Sequence, residues 1–255
     1  MSEHRFATPR PVELKVTIPA GDMHIDTVDG DESVVTIEGD ERLVEQTTVE
    51  QRGDTIVVDF HGKRGLFGIS VSIGDFSLGG GRLTVRASVP HASVAKLASA
   101  SADMTISGRL DSLETKTASG DLRAHGDIDR QAVVKTVSGD ATLAVVGGDL
   151  RVQTVSGDVS ARSVGGSVVA KSVSGDVRVE SLREGHAEIT SVSGDIDLGI
   201  APGSSIDVDA NSVSGELSSE VPLASSPELA GAGDGPTVVV RGKTVSGDFH
   251  VFRAA

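Results

Sequence analysis

The chain has no cysteine, no tryptophan and no tyrosine. Without cysteine there can be no disulfide framework, zinc thiolate site or thiol nucleophile. Aromatic residues make up 2% of the sequence, all six of them Phe. Sugar- and nucleotide-binding modules rest on aromatic platforms, so this scarcity argues against both. Positive charge is also short: 23 Lys and Arg stand against 37 Asp and Glu, a net charge of −14. Such a surface repels nucleic acid and anionic headgroups, so neither is an expected partner. No segment approaches the roughly 18 consecutive apolar residues of a membrane span. Met1 to Arg10 is polar and lacks the apolar core of a signal peptide. The expectation is a cytoplasmic chain with no direct membrane insertion.

The rest of the composition is that of a folded protein. Of 255 residues, 38% are apolar and 24% charged, which excludes a disordered acidic tail. The length suits a single all-β domain over 1–255. Glycine is abundant, at 31 residues, and its placement is periodic. The triplet Ser-Gly-Asp stands at Ser119-Gly120-Asp121, Ser138-Gly139-Asp140, Ser156-Gly157-Asp158, Ser174-Gly175-Asp176 and Ser193-Gly194-Asp195. It recurs as Ser214-Gly215-Glu216 and as Ser246-Gly247-Asp248. Successive spacings are 19, 18, 18, 19, 21 and 32 residues. A short fixed period of this kind is the signature of a solenoid in which each repeat is one rung.

A half-period of nine is also visible. Gly148-Asp149 lies nine residues before Gly157-Asp158, and Gly165-Gly166 lies nine after Ser156-Gly157. Each rung therefore holds two strands and two corners. Before the triplet, alternate residues are apolar or small: Leu150, Val152, Thr154; Val168, Ala170, Ser172; Ala187, Ile189, Ser191. After it, Val159, Ala161, Ser163; Val177, Val179, Ser181; and Ile196, Leu198, Ile200 resume the alternation. Period two with β-branched residues predicts strands. The triplet glycine is expected to supply a corner with positive φ, and its Ser and Asp to bond local backbone.

Stacking equivalent positions about 4.8 Å apart predicts two ladders. One is a hydroxyl ladder of Thr136, Thr154, Ser172, Ser191, Ser212 and Thr244. The other is an acidic edge of Asp121, Asp140, Asp158, Asp176, Asp195, Glu216 and Asp248. Like charges at that spacing repel by about 1 kcal/mol per pair in water. Corner N–H groups, or the outward Lys116, Lys135 and Lys171, are the candidates to offset this. The N-terminal part, 1–92, is less regular but also β, with Gly53-Asp54 as a hairpin turn; the regular rungs occupy 93–255. Ala201–Ser204 and Pro222–Pro236 interrupt them and are expected to be surface loops.

At these residues the sequence resembles the bacterial putative-adhesin family, also called the toast-rack or β-strand-repeat domain. The reiterated Val-Ser-Gly-Asp and the opening Pro19-Ala20-Gly21-Asp22-Met23-His24-Ile25 carry the resemblance, which spans roughly residues 10–254. It implies a right-handed parallel β-solenoid of roughly 18–19-residue rungs, with no established catalytic residues. Many members of that family are secreted, or are fused to membrane segments in envelope-stress systems; this sequence shows neither a signal peptide nor a membrane helix.

Chemistry-bearing motifs are few. A Ca²⁺-binding β-roll needs Gly-Gly-x-Gly-x-Asp, whereas here Asp directly follows a single glycine, so turn chemistry is favoured over Ca²⁺. Glycoside hydrolysis needs two carboxylates in different environments, and a uniform acidic edge offers no such distinction. The seven His are scattered without metal-ligand spacing. No cofactor is expected. The segment from Gly65 to Gly79 is Gly-rich and nearly uncharged. Its Leu66, Phe67, Ile69, Val71, Ile73 and Phe76 form either a cap over the first rungs or an exposed apolar patch for a partner. Phe249 and Phe252 are expected to close the opposite end. The leading reading is a non-enzymatic protein-interaction or scaffold module, docking a protein partner such as an envelope-stress or regulatory component. The alternatives are a self-assembling structural solenoid and a polysaccharide-acting enzyme.

Overall fold

The computed structural model describes residues 1–60, 81–221 and 236–254. The chain forms two compact units, Met1–Gly126 and Asp127–Ala255. The first contains β1 (Ser2–Ala7), β2 (Glu13–Val28), β3 (Glu32–Gly39), the short helix α1 (Glu41–Glu45), β4 (Thr47–Arg52), β5 (Thr55–Phe60), β6 (Leu83–Pro90), β7 (Ser93–Ser107) and β8 (Leu110–Lys116). Strand β9 (Leu122–Lys135) starts there and ends in the second unit.

β2 is the spine of the first unit. Leu14, Val16, Ile18, Met23 and Ile25 alternate along it and are buried, as period-two patterning dictates. Its first half pairs in parallel with β5 on one side and β7 on the other. Its second half, from Gly21, pairs with β6 and again with β7. Gly21 joins the halves at φ 126°, and a Cβ there would run into the Leu83 carbonyl; both facts require glycine. Antiparallel strands complete the unit. β4 hairpins onto β5 through Gly53-Asp54, β3 lies on β6, and β1 lies on β3. Helix α1, whose Arg42 N–H bonds the Asp40 carboxylate, is too short to have left a helical period in the sequence.

The second unit is built by the repeats. It contains the end of β9, then β10 (Ala141–Val146), β11 (Asp149–Gln153), β12 (Val159–Val164), β13 (Val168–Lys171), β14 (Val177–Leu182), β15 (Gly185–Thr190), β16 (Ile196–Ile200), β17 (Ser205–Ser212), β18 (Leu217–Ser219), β19 (Thr237–Thr244) and β20 (Phe249–Arg253). Strands that precede a triplet form one parallel row, and strands that follow it form another. Leu150, Val152, Val159, Ala161, Val168, Ala170, Val177 and Val179 are all buried. This is the toast-rack, solenoid-like parallel architecture that the spacing and the resemblance implied. The rows share one interior: a Cβ added to Gly242 in one row would strike the ring of Phe249 in the other.

Three expectations are corrected. First, the inward alternation slips late in the strands that follow the triplet. Val164 and Leu182 are buried where Ser163 and Ser181 were expected. The pairing register shifts between Val179 and Leu182, and the larger apolar side chain takes the inward place as the strand bends toward its corner. Second, the rungs do not stack in sequence order. β19 lies between β15 and β17, and β20 lies between β16 and β18. Third, Phe249 and Phe252 therefore do not close an end. They belong to an inner rung, and β17 and β18 form the outer one.

Hydrophobicity accounts for this reordering. The inserted rung buries Val238, Val240, Phe249 and Val251, and a position with neighbours on both sides removes more of that surface from water. The outer rung is polar, with Asp207, Asp209, Glu216 and Glu220 exposed or half-exposed, which suits an open sheet edge. The first unit uses the same device, since β2 is enclosed between β5 and β6 on one side and β7 on the other. Of the two interruptions, Ala201–Ser204 is a tight turn. Pro202 and Gly203 are exposed in it, but Ser204 is buried and bonds the Arg183 carbonyl. Pro222–Pro236 lies, except for Pro236, outside the described residues.

The rung order is directly testable because the chain has no native cysteine. Thr190 pairs with Lys243, one ladder step away, while Asn211 is two steps away. Thr190→Cys combined with Lys243→Cys should form a disulfide on mild oxidation, and Thr190→Cys combined with Asn211→Cys, at roughly twice the ~4.8 Å step, should not. Non-reducing mass spectrometry distinguishes the two.

Candidate interaction surface

Each triplet corner is closed by the same set of hydrogen bonds. The hydroxyl two residues before the triplet serine turns back onto the triplet glycine. Thr154 Oγ1 accepts the Gly157 N–H at 3.0 Å and donates to the Gly157 carbonyl at 2.9 Å. Ser172 does the same with Gly175, and Thr136, Ser191, Thr244 and Ser212 accept from Gly139, Gly194, Gly247 and Gly215. The hydroxyl ladder predicted from sequence is thus a column of locally bonded turns.

The glycines serve a purpose other than the one expected. None of the triplet glycines has positive φ; that region is occupied by Gly21, Gly30, Gly39, Gly53, Gly108, Gly185 and Gly203. What excludes a side chain is the neighbouring rung. A Cβ on Gly157 would collide with the Gly139 carbonyl oxygen, one on Gly175 with that of Gly157, and one on Gly194 with that of Gly175. In the first unit Gly120 meets the Ala102 carbonyl in the same way. The corners nest backbone on backbone.

The acidic ladder is also structural. The Asp158 N–H donates to Asp140 Oδ1 at 2.9 Å, Asp176 to Asp158 at 2.9 Å, and Asp195 to Asp176 at 2.8 Å. The series continues from Asp248 to Asp195 and from Glu216 to Asp248, both at 2.8 Å, so the ladder follows the inserted rung and not the sequence. In the first unit Asp121 bonds Asp103 Oδ1 at 3.0 Å. One carboxylate oxygen at each of these steps is held by the next rung's N–H, which offsets the like-charge repulsion. The lysines do not serve this purpose: Lys116 pairs with Glu114, and no ion pair of Lys135 or Lys171 occurs among the described residues.

A shallow groove beside this ladder is lined by Asp140, Thr142, Asp158, Ser160, Asp176, Arg178 and Asp197. Arg178 closes on Asp197 at 3.1 Å and lies 5.8 Å from the centre of the Phe252 ring. The ladder carboxylates have equivalent surroundings, whereas two-carboxylate catalysis requires two different ones. Among the described residues no group of three His, Cys, Asp or Glu converges as a metal-ligand set. His250 stacks on Phe252 and faces Asp197 at 3.4 Å. His125 is exposed, and His91 bonds Thr27 at 2.7 Å. In the first unit Lys15 and Lys96 are direct neighbours across β2 and β7, and both engage Glu13. The Lys15 hydrogen bond, against the opposing effect of partial burial, holds the Glu13 carboxyl below its ordinary range.

A column of valines stands out on the surface. Val137, Val155, Val173, Val192 and Val245, which precede their triplets, are 44–48% exposed, and Val213 is 80% exposed. In stacking order they form one apolar ridge along the corner. The parity of the strand could have shown it, because each valine follows the inward hydroxyl and so must face out. The candidate patch of Leu66, Phe67, Ile69, Val71, Ile73 and Phe76 lies outside the described residues. Among the described residues no helix is long and apolar enough to cross a membrane.

A family model and one solved structure agree with this architecture. Residues 147–252, most of the second unit, match the model of the family described as Toastrack DUF4097. Over the whole length the chain is similar in fold to a solved structure described as a "putative lipid binding protein" from Parabacteroides distasonis. That protein is 17% identical with a TM-score of 0.58, over 98% of this chain and 96% of that one. A "putative adhesin" from the same organism is 14% identical with a TM-score of 0.49, over 98% and 96% of the two chains. No curated protein matches in sequence.

Removing one acceptor tests the structural role of the ladder. Asp176→Ala leaves the Asp195 N–H without its partner and should lower stability by about 1–2 kcal/mol, while Asp176→Asn, which retains an oxygen there, should lose less than half as much. Urea denaturation followed by circular dichroism reads both; equal losses would assign the effect to charge instead of the hydrogen bond.

Proposed function

We propose that this chain is a non-enzymatic protein-interaction module, a rigid toast-rack scaffold that docks a partner along its outward faces. The valine ridge carries the reading. It is continuous and half-exposed, and among the described residues it includes six of the large apolar side chains left exposed. Continuous apolar surface of this kind marks interaction sites more often than packing needs. The repeat polar groups support the same view, because the Ser, Thr and Asp of each corner are engaged in holding the rungs together. A cytoplasmic setting, the expectation from the sequence, and a regulatory or envelope-stress partner, which the family resemblance suggests, are part of the proposal.

End-to-end self-assembly is less favoured. The outer rung bears Asp207, Asp209, Glu216 and Glu220, and two such edges repel each other. The experiment is a cross-linked pull-down of the tagged chain from its own host, with soluble and membrane fractions kept apart. It is run beside the triple variant Val155→Ser, Val173→Ser, Val192→Ser. The expected result is a stoichiometric protein captured by the native chain and lost, at least tenfold, with the triple variant. Identical captures by both would remove the ridge as the contact.

A further inference from the structure

We infer that the occupant of the valine ridge is a second copy of the same chain, laid ridge to ridge with the rungs in step. The inference rests on the interaction reading above and names its partner. The ridge runs over six rungs, which at ~4.8 Å per step is roughly 24 Å. Stacking of each valine on its neighbours covers about half of it, and nothing among the described residues of the second unit covers the rest.

The two flanks of the ridge differ in sign. On one side, two residues before the valines, stand the exposed Lys135, Lys171 and Lys243, with the neutral Gln153, Thr190 and Asn211 at the other rungs. No ion pair of these three lysines occurs among the described residues. On the other side, three residues after the valines, runs the exposed carboxylate ladder. A surface of this pattern is complementary to itself in one orientation. A twofold axis running along the ladder keeps the rungs in step and exchanges the flanks, so each copy's lysines meet the other's carboxylates on both sides of the apolar seam. A twofold axis across the ladder would instead set lysine against lysine and carboxylate against carboxylate. Charge therefore selects the first arrangement, an isologous dimer of parallel racks.

The size of the seam sets the expected strength. A strip about 24 Å long and three side-chain columns wide buries on the order of 800 Å² in all, below the roughly 1,200 Å² of a standard stable interface. The dimer should be weak and concentration-dependent, in the micromolar range. Salt should weaken it by screening the flanks.

Sedimentation velocity on the purified full chain, from low micromolar to millimolar concentration, tests the inference. The expected result is a monomer–dimer equilibrium. Val155→Ser, Val173→Ser, Val192→Ser should weaken it at least tenfold, and so should Lys135→Glu, Lys171→Glu, Lys243→Glu. Circular dichroism confirms that each variant keeps its fold, and both sets lie on the surface. Orientation is read with single cysteines in this cysteine-free chain. Val155→Cys, Val173→Cys and Val192→Cys should each cross-link to its own counterpart under mild oxidation, because equal rungs face each other. An axis across the ladder would cross-link only the rung nearest that axis, and this overturns the proposed arrangement. A chain that stays monomeric throughout the range overturns the dimer. If the serine variant still loses a captured host protein, the interaction reading survives that failure; if it loses neither dimer nor host partner, both readings fall.

Discussion

The approach of one backbone corner to the next governs this structure. At six of the seven triplets the glycine leaves no room for a Cβ above the carbonyl of the neighbouring rung. That close nesting sets the rungs at ladder spacing and brings the N–H groups of Asp121, Asp158, Asp176, Asp195, Glu216 and Asp248 within reach of the neighbouring rung's carboxylate. It also lets the Thr or Ser hydroxyl close the turn from inside. Sequence, corner and stack are thus one chain of causes: a small residue, a short approach and a hydrogen bond repeated at every step. The interior can then be thin, filled by Val, Ala, Leu and Ile from two facing rows.

Much of this was legible in the residues. The 18–19-residue period gave the rung, the nine-residue half-period gave its two strands, and alternation gave most inward positions. Local patterns report local facts well. What was not legible depends on comparing one segment with another. The outer place of the 205–219 rung follows from competition between two rungs for a two-sided neighbour, and spacing alone cannot express that. A corner with positive φ and a close backbone approach demand the same glycine in sequence; only the neighbouring carbonyl separates them. The burial of Val164 and Leu182 in place of Ser163 and Ser181 reflects a bend into the corner that overrides strict alternation. The valine ridge is readable from parity, since each valine follows an inward hydroxyl and so faces out.

For function, the consequence is a division of labour along each repeat. The residues that define the motif are occupied with stacking, and carboxylates that resemble a site in sequence prove to be acceptors for backbone N–H groups. What remains free to differ between toast-rack chains is the outward set: the residue before the inward hydroxyl, the residue after it, and the strand faces beyond. A rack of this design can change partners by changing those columns without disturbing its corners. In this chain the outward set is an apolar valine ridge between a lysine-bearing column and a carboxylate column.

The most direct test of the account is the stability of Gly175→Ala. If the corners are held by backbone nesting, one methyl group must push two rungs apart, and the variant should lose about 2–3 kcal/mol or more against the native chain. Ser193→Ala, which removes only an exposed hydrogen bond of 3.3 Å, should lose less than about 0.5 kcal/mol. Equal and small losses for both would contradict the account, because the glycine would then be dispensable to the stack.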